Sequence, residues 1–346
     1  MVPDWSVANR EDRVRVYMVS PGSLGEVVGE LSGIDRSGCS VTEGYYTDTR
    51  VSGKVRTVGD DGYVEHAWLR IVHEVPSLGY AEEMLTGPVS AVDVETGGGV
   101  TSREYAVESS LYTIKDDLMA SGWTIGANAT LRSFCESVLK TCQRPHDLSA
   151  MCGRVFRSPV TYERGESALH MILDACGDTD RVSVDGHGVI TVSSYVPPSS
   201  REPSQDVDPA SARSVVIGAV RTSDSAETVP GRVVYVSGSG DREMSATADA
   251  PASWPSSSAR RGYMVARKES DSTSDVTWDQ LRAKAESALK AAQDPGRRHE
   301  LTVAWQAWHQ GDVVRIKLRG TWRKCLVQSV EDDLGSMTQR VSLKEV

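Results

Sequence analysis

Histidines, cysteines, paired acids and one arginine pair are the side chains here that could do chemistry, and their spacing limits which chemistry is available. Zinc hydrolysis needs two histidines one helical turn apart with a glutamate beside them, and the seven histidines supply no such pair. His66 and His73 stand seven apart on a strand-like segment and read as surface or half-buried side chains rather than ligands. Cys135 and Cys142 share a helix face at i and i+7; with Cys176 they read as core filling, so no metal site is expected. Acidic doublets at Asp60-Asp61, Glu82-Glu83, Asp116-Asp117 and Asp332-Asp333 could supply the carboxylate pair of a glycosidase. They border turn residues, and neighbours on a strand point to opposite faces, so the doublets read as turn chemistry. Thr96-Gly97-Gly98-Gly99-Val100 lacks the Lys-Ser/Thr of a phosphate-cradling loop and reads as a hairpin tip. With no nucleophile–base pairing in view, no catalytic residue and no cofactor is expected. One group suits a partner instead: Arg260-Arg261 beside Trp254 and Tyr263, where guanidinium and aromatic faces can stack on another surface. The competing reading of those four residues is a solvated loop flank.

Such side chains need elements to position them, and length and composition bound what those can be. At about 150 residues per domain, 346 residues make two or three folded units. A 39% hydrophobic fraction supports more than one core and excludes wholesale disorder. No stretch approaches the ~20 apolar residues of a membrane span, and residues 1–10 are polar with no signal-peptide stretch, so a soluble chain made in a cytoplasm is expected. A net charge of −10 makes the chain a poor general binder of phosphate backbones. Six scattered cysteines fit a reducing compartment better than a disulfide framework.

The first hundred residues read as β. Val14, Val16 and Met18 alternate with Arg13, Arg15 and Tyr17, and further strand patterns follow at 40–46, 50–58 and 66–72. Residues 88–95 and 102–108 flank the triple glycine as a hairpin. After about residue 110 the period changes. Leu131, Phe134, Cys135, Val138, Leu139 and Cys142 make one helix face, with Asn128 as the expected N-cap rather than a glycosylation acceptor. A second helix is predicted over 166–176, followed by a hairpin around Asp185-Gly186-His187-Gly188. Residues 197–209 hold four prolines and read as an extended, semi-rigid linker. Strand patterns then resume, interrupted by a helix that Thr277 and Gln280 open as a capping box and Pro295-Gly296 end. Its stripe is Leu281, Ala285, Ala288, Leu289 and Ala292, and alternation returns at Leu301, Val303 and Trp305.

The resulting fold class is α+β, mainly β: a first β domain that is a barrel or sandwich, a small inserted α/β domain, and a second β-barrel domain with one helix. The expected boundaries are 1–112 for the first β domain, 113–196 for the insert, 197–212 for the linker and 213–346 for the second barrel with its helix at 278–292.

Several stretches in this order resemble the baseplate-hub, or tail-tip hub, proteins of tailed bacteriophages. They are Gly122-Trp123-Thr124-Ile125-Gly126 before the capped helix, Val160-Thr161-Tyr162-Glu163-Arg164-Gly165-Glu166-Ser167-Ala168-Leu169, and the 182–192 hairpin with Tyr195-Val196-Pro197-Pro198. Gly311-Asp312-Val313-Val314-Arg315, Val327-Gln328-Ser329-Val330 and Val51-Ser52-Gly53 extend the likeness to both ends of the chain. The resemblance implies a non-enzymatic structural protein of the virion, made in the host cytoplasm and placed at the tail tip. It further implies two tail-tube-like β-barrel domains per chain and a homotrimer whose pseudo-sixfold ring adapts the hexameric tail tube to a threefold tip and lines the DNA channel. Its partners would be the distal tail protein, the tape-measure protein and receptor-binding or fibre proteins, with DNA only as passing cargo. The alternative is a cell-wall-active or glycan-binding tail protein using the acidic doublets with Trp254, Trp305 and Trp308.

Overall fold

A computed structural model describes residues 11–223, 229–237, 243–271, 277–293 and 297–346. Residues 1–10 and the expected helix stop at Pro295-Gly296 lie outside the described residues. The chain divides into two compact units, one holding the residues up to Val220 with Glu300–Lys344 and Val346, the other Arg221–His299 with Glu345.

In the first unit the early alternation becomes two facing sheets. One has four antiparallel strands in the order Ser23–Glu30, Arg13–Ser20, Trp68–Val75, Tyr80–Gly87. The other has ten strands among the described residues. From its edge it runs Val89–Gly97, Val100–Glu108, Val51–Val58, Ser40–Gly44, Thr321–Asp333 and Thr338–Glu345, with Val313–Leu318 also joined to Thr321–Asp333. Val16, Met18, Leu69, Ile71 and Leu85 from the small sheet meet Val41, Val55, Tyr105 and Val107 from the large one in a single core. Each such buried aliphatic side chain contributes roughly 1.5–3 kcal/mol.

The structure is mainly β, as the alternation predicts, but its sheets are not closed barrels. Alternation specifies one buried face per strand. Closure further requires the first strand to pair with the last at a fixed stagger, and period-2 patterning carries no information about that. The early and late β segments also share one sheet: Thr321–Asp333 pairs antiparallel with Ser40–Gly44, from Ser329 opposite Gly44 to Asp333 opposite Ser40.

The glycine-rich hairpin forms with Gly97 opposite Val100, leaving Gly98 and Gly99 as its two-residue turn. Their φ values of 59° and 79° are the positive pair that such a turn demands and that glycine adopts without steric cost.

The proline-rich segment is extended, and it is held by this chain. Gln205–Val207 pairs in parallel with Val313–Leu318, the Asp206 carboxylate receives both arms of the Arg315 guanidinium, and Lys317 Nζ lies 2.8 Å from Asp208 Oδ2.

The α/β region has its own core, in which Phe134 stacks on Tyr162 at 5.9 Å and meets Phe156 edge-on. Its first long helix, Leu131–Thr141, is capped by Thr130, whose hydroxyl accepts from the Ser133 N–H at 3.1 Å. Asn128, the expected cap, instead adopts φ 67°, a left-handed conformation that asparagine tolerates better than most residues. The second helix spans Ala168–Cys176, with Ser167 as its cap.

In the second unit, Met244–Asp249, Arg232–Ser237 and Ala266–Asp271 form a three-stranded sheet. Helix Trp278–Ala292 opens with the Thr277–Gln280 capping box and lays Ala285 and Leu289 against Val233 and Ala248. Small alanines on that stripe let the helix axis approach the sheet.

Candidate functional site

The four residues expected to meet a partner lie close together in sequence but face different surroundings. Trp254 is half-buried and packs on the core of the second unit, with Val233, Ala248 and Leu289. Ser257 precedes the short helix Ser258–Arg261, which carries both arginines and stops at Gly262 with φ 77°. Arg261 is half-buried and donates from Nη1 to the Val229 carbonyl at 2.5 Å, whereas Arg260 is exposed. Tyr263 is 54% exposed. Arg260 and Tyr263 are therefore the two whose side chains another surface can reach directly.

The first unit contains a polar cluster that the spacing does not announce. His309 sits between two carboxylates, with Nδ1 2.8 Å from Glu43 Oε1 and Nε2 2.6 Å from Glu82 Oε1. Glu43 comes from Ser40–Gly44 and Glu82 from Tyr80–Gly87, so the imidazole ties one sheet to the other. Glu43 Oε2 also accepts the Gln310 N–H at 2.9 Å, and the Tyr80 hydroxyl donates to Glu82 Oε2 at 2.5 Å. Burial opposes a charged imidazole, but the hydrogen bonds and charges of Glu43 and Glu82 outweigh it and hold the His309 pKa well above 6.5. Burial likewise opposes the Glu82 carboxylate, and His309 outweighs it, leaving Glu82 below its ordinary 4.5. Nearby Asp332 is pushed the other way, well above 3.8, by burial first and then by the charge of Glu43. Its Oδ1 accepts from Gln339 Nε2 at 2.8 Å. Chemically the cluster is an imidazolium clamp: both ring nitrogens are engaged, leaving neither free to take a substrate proton.

Three of the acidic doublets have one inward and one outward member, two of them (Glu82-Glu83 and Asp332-Asp333) on strands as alternation predicts and Asp60-Asp61 in a loop. Asp61 is buried and accepts from Thr57 and Tyr105 hydroxyls, both at 2.6 Å, while Asp60 is exposed. Glu82 points into the His309 cluster while Glu83 lies 3.8 Å from His187. Asp332 is buried while Asp333 caps a turn through the Gly335 and Ser336 N–H groups. Each inward carboxylate accepts from at least one protein donor, and none of Glu43, Glu82, His309 or Asp332 lines either of two clefts in this unit, of about 340 and 370 Å³.

His66 is exposed, but His73 is fully buried rather than half-buried. Its Nε2 stands 2.7 Å from Asp12 Oδ1, and its ring meets Trp305 edge-on at 4.1 Å. Cys135, Cys142 and Cys176 lie in the apolar core of the α/β region. Among the described residues no group of three or more His, Cys, Asp or Glu side chains is placed to hold a metal ion, and no helix is long and apolar enough to cross a membrane.

No protein-family model and no curated protein matches the sequence. Solved structures do match its fold over almost the entire chain. A tail protein from Neisseria meningitidis superposes with a TM-score of 0.69 at 11% identity, covering 96% of each chain. A 43 kDa tail protein of prophage MuSo2 from Shewanella oneidensis gives 0.67 at 11% identity, over 97% of this chain and 98% of that one. An Escherichia coli component of the type VI secretion system, described as structurally similar to the T4 tail proteins gp27 and gp5, gives 0.52 at 9% identity, over 98% and 76%. The chain thus has the fold of phage tail proteins and their secretion-system counterparts, the fold that the sequence resemblance led us to expect.

Proposed function

We propose that this chain is a non-enzymatic hub protein of a phage-type tail, resident at the tail tip of a virion. In this reading three copies form a pseudo-sixfold ring that joins the tail tube to the tip and lines the DNA channel. The observation that carries it is the reach of the fold match, which takes in 96% of this chain together with 96% of a tail protein and so embraces both compact units. Open sheet edges support self-association. Val89–Gly97 ends the ten-stranded sheet with Val92 and Val94 exposed at 41% and 59%, leaving unpaired backbone groups beside apolar side chains. Further partners in this reading are the distal tail protein, the tape-measure protein and receptor-binding or fibre proteins, and DNA is passing cargo that a chain of charge −10 does not grip. Arg260 and Tyr263, with Trp254 and Arg261 behind them, belong to the partner-facing surface.

A cell-wall-active or glycan-binding role has less in its favour. Trp305 and Trp308 are 1% and 2% exposed and so offer no sugar platform, and the inward Asp61 and Glu82 are already engaged by protein donors. Native mass measurement at micromolar concentration tests the hub reading. Particles of three times 37.5 kDa are expected, with antibody against the chain decorating tail tips in negative stain. Strict monomers that also fail to mark tails overturn it, and muropeptide release from host cell walls, abolished by one carboxylate substitution, overturns the non-enzymatic part.

A further inference from the structure

Two arginines of the first unit, Arg181 and Arg201, line one cleft, and a third, Arg50, lines the neighbouring cleft that Arg181 also borders. Arg181 comes from Asp180–Val184 and Arg201 from the end of the turn Pro198–Ser200, while Arg50 is the residue before Val51–Val58. Each is half-buried, and each spends its N–H groups on neutral acceptors. Arg50 donates to the Val182 and Tyr45 carbonyls, Arg181 to Gln310 Oε1, and Arg201 Nη1 to the Gly311 carbonyl at 2.7 Å. Among the described residues no carboxylate comes within ion-pair distance of the three, although Asp48 acts on Arg50 and Asp312 on Arg201 at longer range, and the buried Nε of Arg201 has no hydrogen-bond partner.

One acid, Asp312, lines the cleft, and Asp180 lines the neighbouring one; both also accept from protein donors. Asp312 Oδ2 accepts the His309 N–H at 3.0 Å, and Asp180 accepts from Cys152 and Thr179. The Arg181 guanidinium lies 3.6 Å over the Tyr45 ring, and burial with repulsion from Arg50 and Arg201 brings its pKa down to about 10. Half-buried cations lacking a counter-ion carry a desolvation cost that a bound anion would offset. The cleft is also shaped to stay open. Gly311 has φ 92°, and a Cβ there would stand 2.7 Å from Arg181 Nη1 and 3.3 Å from the Tyr45 ring. Ser183, Ser193, Ser194 and Tyr195 complete a polar wall around about 340 Å³.

We propose that this cleft is an oxyanion site that takes a phosphate or carboxylate group on Arg181 and Arg201, with Arg50 adding charge behind them. The planar forks match two oxygens of such a group, and the serine hydroxyls can supply neutral donors.

Isothermal titration with inorganic phosphate, with citrate and with a triglutamate peptide, at ionic strength held constant by chloride, tests the site. The expected result is saturable binding of at least one of these, weakened at least tenfold in Arg181→Gln and in Arg201→Gln, and unchanged in Arg315→Gln, which removes an exposed arginine elsewhere. Tighter binding of the peptide assigns the anion to an acidic segment of another protein; tighter binding of phosphate or citrate assigns it to a free solute. Thermal unfolding of each variant in chloride identifies any that fails to fold, in which case Gly311→Ala, which narrows the cleft and keeps all three charges, replaces it. Absence of saturable binding for all three probes, or equal binding by folded wild type and cleft variants, overturns the proposal.

Discussion

His309 shows how far a residue's chemistry depends on where the chain brings it. Its partner Glu43 is 266 positions away, so no local spacing could reveal the clamp. The folded pKa of His309 lies above 6.5, so its stabilisation is fully present below that value and is lost as pH rises through the folded one. Glu82 lies below 4.5, so its stabilisation is present above 4.5 and is lost as pH falls through its folded value. Both contributions are whole between 4.5 and 6.5. His309→Ala leaves two carboxylates facing each other and is expected to cost about 2–3 kcal/mol. That is below the ~3–5 of a fully enclosed pair, because the His309 side chain is 41% exposed. Calorimetric scans across pH should show the wild-type advantage shrinking on the alkaline side and vanishing in the variant. Asp332 behaves oppositely to Glu82. Its raised pKa means that stability present below 3.8 is lost as pH rises through the folded value, so Asp332→Asn should unfold at a higher temperature than wild type at neutral pH, the gap closing on acidification. A variant less stable than wild type at every pH would show that the carboxylate does more than accept from Gln339. The doublets were legible to this extent: alternation said that one member points in, but not what it would meet.

At the scale of elements, local chemistry decided most outcomes and geometry the remainder. The Thr277–Gln280 capping box, the Gly98-Gly99 turn and the Leu131–Cys142 face form as their residues dictate, because each depends on neighbours within a few positions. The cap before Leu131 moved from Asn128 to Thr130, since both are cap formers and only the path of the chain selects between them. The proline-rich segment is extended by its own φ restriction, yet its place beside Val313–Leu318 is set by Arg315 and Lys317 more than a hundred residues away. The exposed edge strand bears on the hub proposal. Val92→Lys with Val94→Lys puts two charges on one face of Val89–Gly97 and should change folding stability by about 0.5 kcal/mol or less, because both side chains are exposed. Sedimentation is expected to show the trimer weakened, and an unaltered trimer would move the contact to another edge.

For the molecule as a whole, the sequence by itself determined a mainly β chain with a small helical region, the order of its elements, and a resemblance that the solved tail proteins bear out at the level of fold. Those properties are short-range: periodicity, caps, turns and composition act between residues a few positions apart. Only the tertiary structure decided that the early and late strands share one open sheet, that Glu43, Glu82 and His309 form a clamp, and that Arg181 and Arg201 line one cleft with Arg50 on the next. Each of these depends on which strand lies beside which. That choice is made by summed packing across the interior, to which a linear pattern of buried and exposed positions is nearly blind, because many pairings bury the same faces.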